Sequence, residues 1–157
     1  MDDKNIFVNE LTKKKLEYYC AYQERCKQDV KNKLISMNIS LHHIESIIEH
    51  LLENDFLNEE RFAKAFCRGK FRIKQWGRQR IIRELKGKYI TNHNINSALQ
   101  EINEIEYHKT FNDLAKKRFL EIKETNIFKK RKKLADYLLY RGWESDAVYK
   151  IILELIP

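Results

Sequence analysis

The sequence predicts an all-α fold, an elongated tandem array of three three-helix repeats. Three observations carry that expectation. Residues that punctuate strands and tight turns are scarce: the 157 residues include only 4 Gly and 1 Pro, the last residue, Pro157. Apolar residues recur at helical rather than alternating spacing. The same row of seven apolar positions occurs three times, which is the mark of a repeat architecture. The rows are Val30, Leu34, Ile39, Ile44, Ile47, Ile48, Leu51; then Ile81, Leu85, Ile90, Ile95, Ala98, Leu99, Ile102; then Leu134, Leu138, Trp143, Val148, Ile151, Ile152, Leu155.

The first repeat spans residues 1–57. It opens with a long helix over residues 10–26, carrying Leu11, Leu16, Tyr19 and Tyr22. Val30 and Leu34, four apart, share one face of a second helix. Ile44, Ile47, Ile48 and Leu51 follow the amphipathic pattern in a third, with Ser40 as its candidate N-cap. The second repeat spans residues 58–103. Its long helix, over 58–74, carries Phe62, Ala63, Phe66 and Ile73. Gly77 breaks the chain before a new helix near Arg78, and Thr91 or Asn92 caps the third helix. The third repeat spans residues 104–157. Tyr107, Phe111, Leu114 and Phe119 lie on its long helix over 104–122. Arg141-Gly142 closes the helix that follows, since Gly accepts the left-handed conformation, and Glu144 or Ser145 starts the last one. A lone unit of about 50 residues would be marginal, so neighbours are expected to share apolar faces.

Composition narrows the function. No run of 18 apolar residues suggests a membrane span. The stretch Met1-Asp2-Asp3-Lys4 lacks the apolar core of a secretory leader. A monomeric protein of the reducing cytoplasm is the expectation. Cys20, Cys26 and Cys67 are odd in number and lack metal-ligand spacing, so buried free thiols are expected. His42-His43 has no matching Cys or carboxylate spacing. No HExxH, Gly-rich phosphate loop or nucleophile motif is present, so neither enzyme, metal nor cofactor is expected.

Charge points to a partner. The net charge is +8, distributed as −2 over residues 1–57, +7 over 58–103 and +3 over 104–157. Between Arg61 and Lys88 lie eleven basic residues and one acidic residue, Glu84. Ordinary solvated helix faces mix signs, so this segment is a candidate phosphate-facing stripe. The candidate contacts there are Arg61, Lys64, Arg68, Lys70, Arg72, Lys74, Arg78, Arg80 and Arg83. Trp76 could stack on a base, but plugging a junction between repeats is the preferred reading. A second cluster, Lys129–Lys133, adds Lys130 and Arg131 as candidates, with Arg141 nearby. Five consecutive charges wrap every side of a helix, so some face only water.

These residues also carry a family resemblance. Leu57-Asn58-Glu59-Glu60-Arg61-Phe62-Ala63, Phe66, Trp76-Gly77, Arg80-Ile81 and Glu84-Leu85 resemble the central signature of the RecX family of recombination regulators. Lys133-Leu134, Tyr137-Leu138, Arg141-Gly142-Trp143 and Asp146 resemble its closing motif. The resemblance runs over residues 20–155. Three positions depart from it. Lys88-Tyr89-Ile90 stands where Lys-Gly-Ile is common, Cys26 where Ser is common, and Glu59 where Asp is common. The resemblance implies tandem three-helix repeats without strands. It also implies a non-enzymatic regulator bound to the RecA recombinase filament on single-stranded DNA, inhibiting strand exchange and ATP hydrolysis. Single-stranded DNA, and double-stranded DNA as a second candidate, would be bound without strong sequence preference. The competing expectation is a helix-turn-helix transcriptional regulator, with the Arg78–Lys86 helix reading a major groove.

Overall fold

A computed structural model of the chain describes residues 3–157, with side chains from Asn9 onward. Residues 1 and 2, part of the expected first repeat and of the N-terminal stretch, lie outside the described residues. Among the described residues there are nine helices and no strand: α1 (Asp3–Tyr22), α2 (Lys27–Ser36), α3 (Leu41–Glu53), α4 (Glu59–Arg72), α5 (Arg78–Gly87), α6 (Asn92–Leu99), α7 (Glu104–Glu121), α8 (Ile127–Tyr140) and α9 (Ser145–Leu155). The main helix–helix contacts fall within the triplets α1–α3, α4–α6 and α7–α9. Each triplet is therefore a small bundle that buries its own apolar faces.

The repeated row of apolar residues is the framework of that burial. Leu34, Leu85 and Leu138 are all fully buried, as are Val30, Ile81 and Leu134. Of the remaining positions, Ile39, Ile48, Leu99 and Leu155 are half-buried and none is exposed. The turn after the second helix is built identically each time. The N–H of Ile39 donates to the carbonyl of Leu34 at 3.1 Å, Ile90 to Leu85 at 3.1 Å, and Trp143 to Leu138 at 3.2 Å. This is the hydrogen bond of a Schellman end, and it needs a left-handed residue just before the donor. Asn38 (φ 61°), Tyr89 (φ 61°) and Gly142 (φ 92°) fill that place.

The cores are not three equals. Leu16, Cys20, Val30, Leu34, Ile44 and Ile47, with Leu51 and Leu57, form a core of the first triplet alone. The second and third triplets share one continuous core, which also takes in Cys26 from the first. Aromatic rings bind those two triplets. Tyr107 packs at 5.8 Å from Phe71 of α4 and at 4.7 Å from Trp143, which lies 5.2 Å from Phe111. Trp143, 2 % exposed, therefore plugs this junction. Trp76, the expected plug, is only partly buried, because its ring lies at the edge beside Phe66.

One docking geometry is used at both junctions. The turn that follows the second helix of a triplet sits against the N-terminus of the second helix in the preceding triplet. At the first junction Lys88 donates to Asp29 at 3.0 Å. At the second, the N–H groups of Gly77 and Gln79 donate to the carbonyls of Arg141 (2.8 Å) and Gly142 (3.0 Å). The first helical N–H groups of α5 are thus satisfied by the next triplet. Approach is so close that a Cβ on Gly77 would overlap the Gly142 carbonyl, and one on Gly142 would overlap the backbone of Arg80.

Several local expectations change. The first long helix stops at Tyr22 rather than 26, because Cys26 is the N-cap residue of α2, with its N–H donating to Asp29 at 3.2 Å and its side chain in the second triplet's core. Leu11 and Tyr22 are exposed, and so is Ile73, which lies just past the last turn of α4. Thr91 caps α6 through its hydroxyl, while Ser40 and Glu144 occupy cap positions without a side-chain cap bond. All three cysteines are buried free thiols, and burial pushes each thiol up to about 11. The accessible surface, 10332 Å², exceeds the roughly 8,400 Å² expected of a compact monomer of this mass. That excess is the signature of an extended array.

Candidate nucleic-acid and filament interface

The basic segment divides into cations that hold the fold and cations that face outward. Arg61 is in the first class. Its guanidinium reaches Glu24 at 2.6 Å and Asp55 at 3.1 Å, closing the first triplet onto α4. Burial would lower its pKa, but the two carboxylates outweigh this and raise it. Arg78 pairs with Glu104 and Glu144 and lies over the Tyr107 ring at 3.9 Å, while its N–H donates to the Tyr107 hydroxyl. That hydroxyl donates to Glu144 at 2.7 Å. Burial, then the Glu144 carboxylate, pushes the phenol far above its ordinary value. Arg141 donates to the Lys74 carbonyl at 2.7 Å. Lys64 is engaged with Glu60 at 3.2 Å and Glu101 at 3.7 Å.

The outward cations form a strip with aromatic rings between them. The Lys70 ammonium lies 5.4 Å from the Phe66 ring and 5.0 Å from the Trp76 ring. The Arg80 guanidinium sits 4.0 Å above Trp76 and 4.7 Å from Tyr140. The strip continues onto the third triplet at the ring of Tyr137, against which the fold-holding Arg141 and the half-buried Arg118 lie at 4.6 and 4.7 Å. The strip therefore crosses from the second triplet to the third over their shared core. Arg83, three residues after Arg80, shares its helix face and is exposed. Arg72 and Lys74 are exposed at the end of α4, with Arg72 4.0 Å from Glu106, and Arg68 is half-exposed. Stacked guanidinium and ring surfaces suit bases, and the charges suit phosphates.

The second cluster contributes less. Lys130 lies over Phe119 at 4.3 Å and the Arg131 Nε–H donates to the Ile156 carbonyl at 2.9 Å. Lys132 and Lys133 pair with Asp136 and Glu124. Lys130 lies two turns before Tyr137 on the same face of α8, but these contacts engage each of the four cations. Sequence reasoning missed Arg118, Tyr137 and Tyr140. Tyr137 and Tyr140 stand three apart with Arg141 just behind, a spacing that places ring and cation together, but Arg118 joins them only through the fold.

The N-terminus of α5 is not free. A helix that reads a major groove presents its first residues to base edges. Here those residues are covered by the Arg141–Gly142 turn.

Comparison with known proteins gives a consistent result. Residues 58–99 match the family description "RecX, second three-helix domain", and residues 105–152 match "RecX, third three-helix domain". Regulatory protein RecX of Clostridioides difficile (strain 630) is 24% identical over 136 residues, covering 87% of this chain and 64% of that protein. Regulatory protein RecX of Bacillus cytotoxicus is 26% identical over 154 residues, covering 96% and 57%. That of Prosthecochloris aestuarii is 28% identical over 139 residues, covering 88% and 89%. The chain thus spans less than two thirds of the length of the first two of these relatives. The crystal structure of RecX from Lactobacillus salivarius is similar with a TM-score of 0.76 at 25% identity, covering 94% of this chain and 96% of that one.

Proposed function

The chain belongs to the RecX family of regulatory proteins, and on that premise we propose that it docks onto RecA recombinase filaments on single-stranded DNA. There it slows strand exchange and the accompanying ATP hydrolysis, with no chemistry of its own. The observation that carries this reading is the cation–aromatic strip through Lys70, Trp76, Arg80 and Tyr140. Its rings are sequence-tolerant stacking surfaces and its charges displace counterions. A rigid array of helices lying along a filament occupies space that a second DNA must enter. Three triplets, residues 1–57, 58–103 and 104–157, let many weak contacts add through effective concentration. A cytoplasmic location follows from the same reading, since the recombinase acts on the chromosome.

The test is strand exchange by purified recombinase, titrated with the intact protein and with the variant Lys70→Ala, Lys74→Ala, Arg80→Ala, Arg83→Ala. These four lie outside the Arg61 and Arg78 ion-pair networks, so the fold is expected to survive. Truncation before α8 would instead open the core shared by the second and third triplets. The quadruple variant is expected to lose most inhibition and to bind oligonucleotides with a flatter salt dependence, by up to about 0.7 per lost phosphate contact. Undiminished inhibition by this variant moves the docking surface elsewhere. No inhibition by the intact protein at saturation ends the regulatory reading.

A further inference from the structure

One groove lies outside the basic segment, on the first triplet. It has a volume of about 760 Å³ and runs along α1, with Tyr18, Tyr19, Tyr22 and Leu11 as its walls. Its charged lining residues are Lys14, Lys15, Arg25 and Lys33, and among the described residues no carboxylate lines it. That is unexpected in a triplet whose net charge is −2. The positive charge is local to this groove. Among the described residues Lys14 and Lys15 make no ion pair, while the Arg25 guanidinium is held 3.7 Å above the Tyr19 ring and its Nε–H donates to the Tyr19 carbonyl. Lys33 approaches the same ring at 5.6 Å.

Tyr18 and Tyr22 are 73% and 74% exposed. They stand one helical turn apart, so they are about 6 Å apart along the axis. We infer that this groove is a second nucleic-acid site, in which bases of a single strand stack on Tyr18 and Tyr22 while Lys14, Lys15, Arg25 and Lys33 meet the phosphates. An acidic peptide would satisfy the cations, but two largely exposed tyrosines one helical turn apart, with cations beside them, match a strand that alternates base and phosphate. The inference rests on the function proposed above only in taking nucleic acid as the ligand. It adds a contact on the triplet that the basic segment does not reach.

The experiment uses the full chain and oligo(dT), followed by fluorescence anisotropy. Tyr18→Ala with Tyr22→Ala is expected to weaken binding at least tenfold, from the loss of two stacking rings. Tyr18→Phe with Tyr22→Phe keeps the rings and is expected to bind like the parent. Circular dichroism confirms that these exposed substitutions leave the fold intact. An oligonucleotide carrying iodouracil, irradiated in the complex, is expected to crosslink to the peptide containing Tyr18 and Tyr22. Parental affinity in the double Ala variant, or crosslinks confined to residues 61–88, overturns the site, even if an acidic peptide is found to bind there. Failure of the regulatory reading looks different: Tyr22 crosslinks and the Ala variant is weakened, yet the parent leaves strand exchange unchanged.

Discussion

At Gly77 and Gly142 the fold has no room for a methyl group. The obstacle in each case is backbone from another triplet rather than a side chain that could swing away. Gly77→Ala and Gly142→Ala are each expected to lower stability by about 2–4 kcal/mol, read as the urea midpoint. Gly69 serves as the contrast. It lies inside α4 with open space around its missing Cβ, so Gly69→Ala should stabilise by about 0.5–1 kcal/mol. Tyr89 shows the opposite misfit. It holds the left-handed place at φ 61° with an exposed ring. Tyr89→Gly relieves a left-handed penalty of about 1–2 kcal/mol and returns part of it as unfolded-chain entropy, so a gain of up to about 1 kcal/mol is expected in the same assay. The sequence made Gly142 legible as a helix end and Gly77 as a break. Their mutual contact was not, because it depends on how two triplets are superposed in space.

At the scale of the element, most of the helices could be read directly. Spacing alone located the buried Leu34, Leu85 and Leu138, and cap chemistry narrowed the start of α6 to Thr91 or Asn92, of which Thr91 is the cap. What spacing could not reveal was which charges are consumed. Arg61 and Arg78 look like their exposed neighbours in the sequence, yet each is bound by carboxylates distant along the chain. Asp29 is another such case, joining α2 to the turn after α5. Burial works to raise its pKa, but the hydrogen bond from Lys88 and the N–H of Cys26 outweigh burial and lower it. A carboxylate held below its unfolded value of about 4 stabilises the folded state above that pH. The contribution is lost as pH falls through the lower folded pKa. Asp29→Asn is therefore expected to cost on the order of 1 kcal/mol at pH 7, where the parent pair is charged. The difference from the parent should shrink towards pH 3. A constant difference across that range would show that packing, not charge, is what Asp29 supplies.

The whole molecule is a pair and a single rather than a uniform row. The second and third triplets share a core lined with aromatic rings, whereas the first keeps its own and meets the second mainly through ions. Local stability should follow that division. Amides of α1–α3 are expected to exchange hydrogen through a lower-energy opening than those of α4–α9, and added salt should widen the gap by screening the junction. Equal protection in all three triplets would mean that the ionic junction couples as firmly as the apolar one. The repeated apolar row signals three copies but not this inequality, since it is silent on Trp143, Tyr107 and Phe71 meeting across a boundary.

The glycine contact has a meaning for inheritance. An ion pair such as Arg61 with Glu24 can be rewritten by exchanging both partners, so its two sites can drift together. Gly77 and Gly142 cannot compensate for each other in this way, because each meets the other triplet's main chain, which no codon change at the partner removes. In a library randomised at both positions, survivors should therefore keep glycine at each site independently, with no rescuing pair. The position equivalent to Gly142 in the second triplet is Tyr89, so a gene in which a copy of the second triplet replaced the third would carry a side chain into that contact. These triplets descend from one pattern, but they are no longer interchangeable in order.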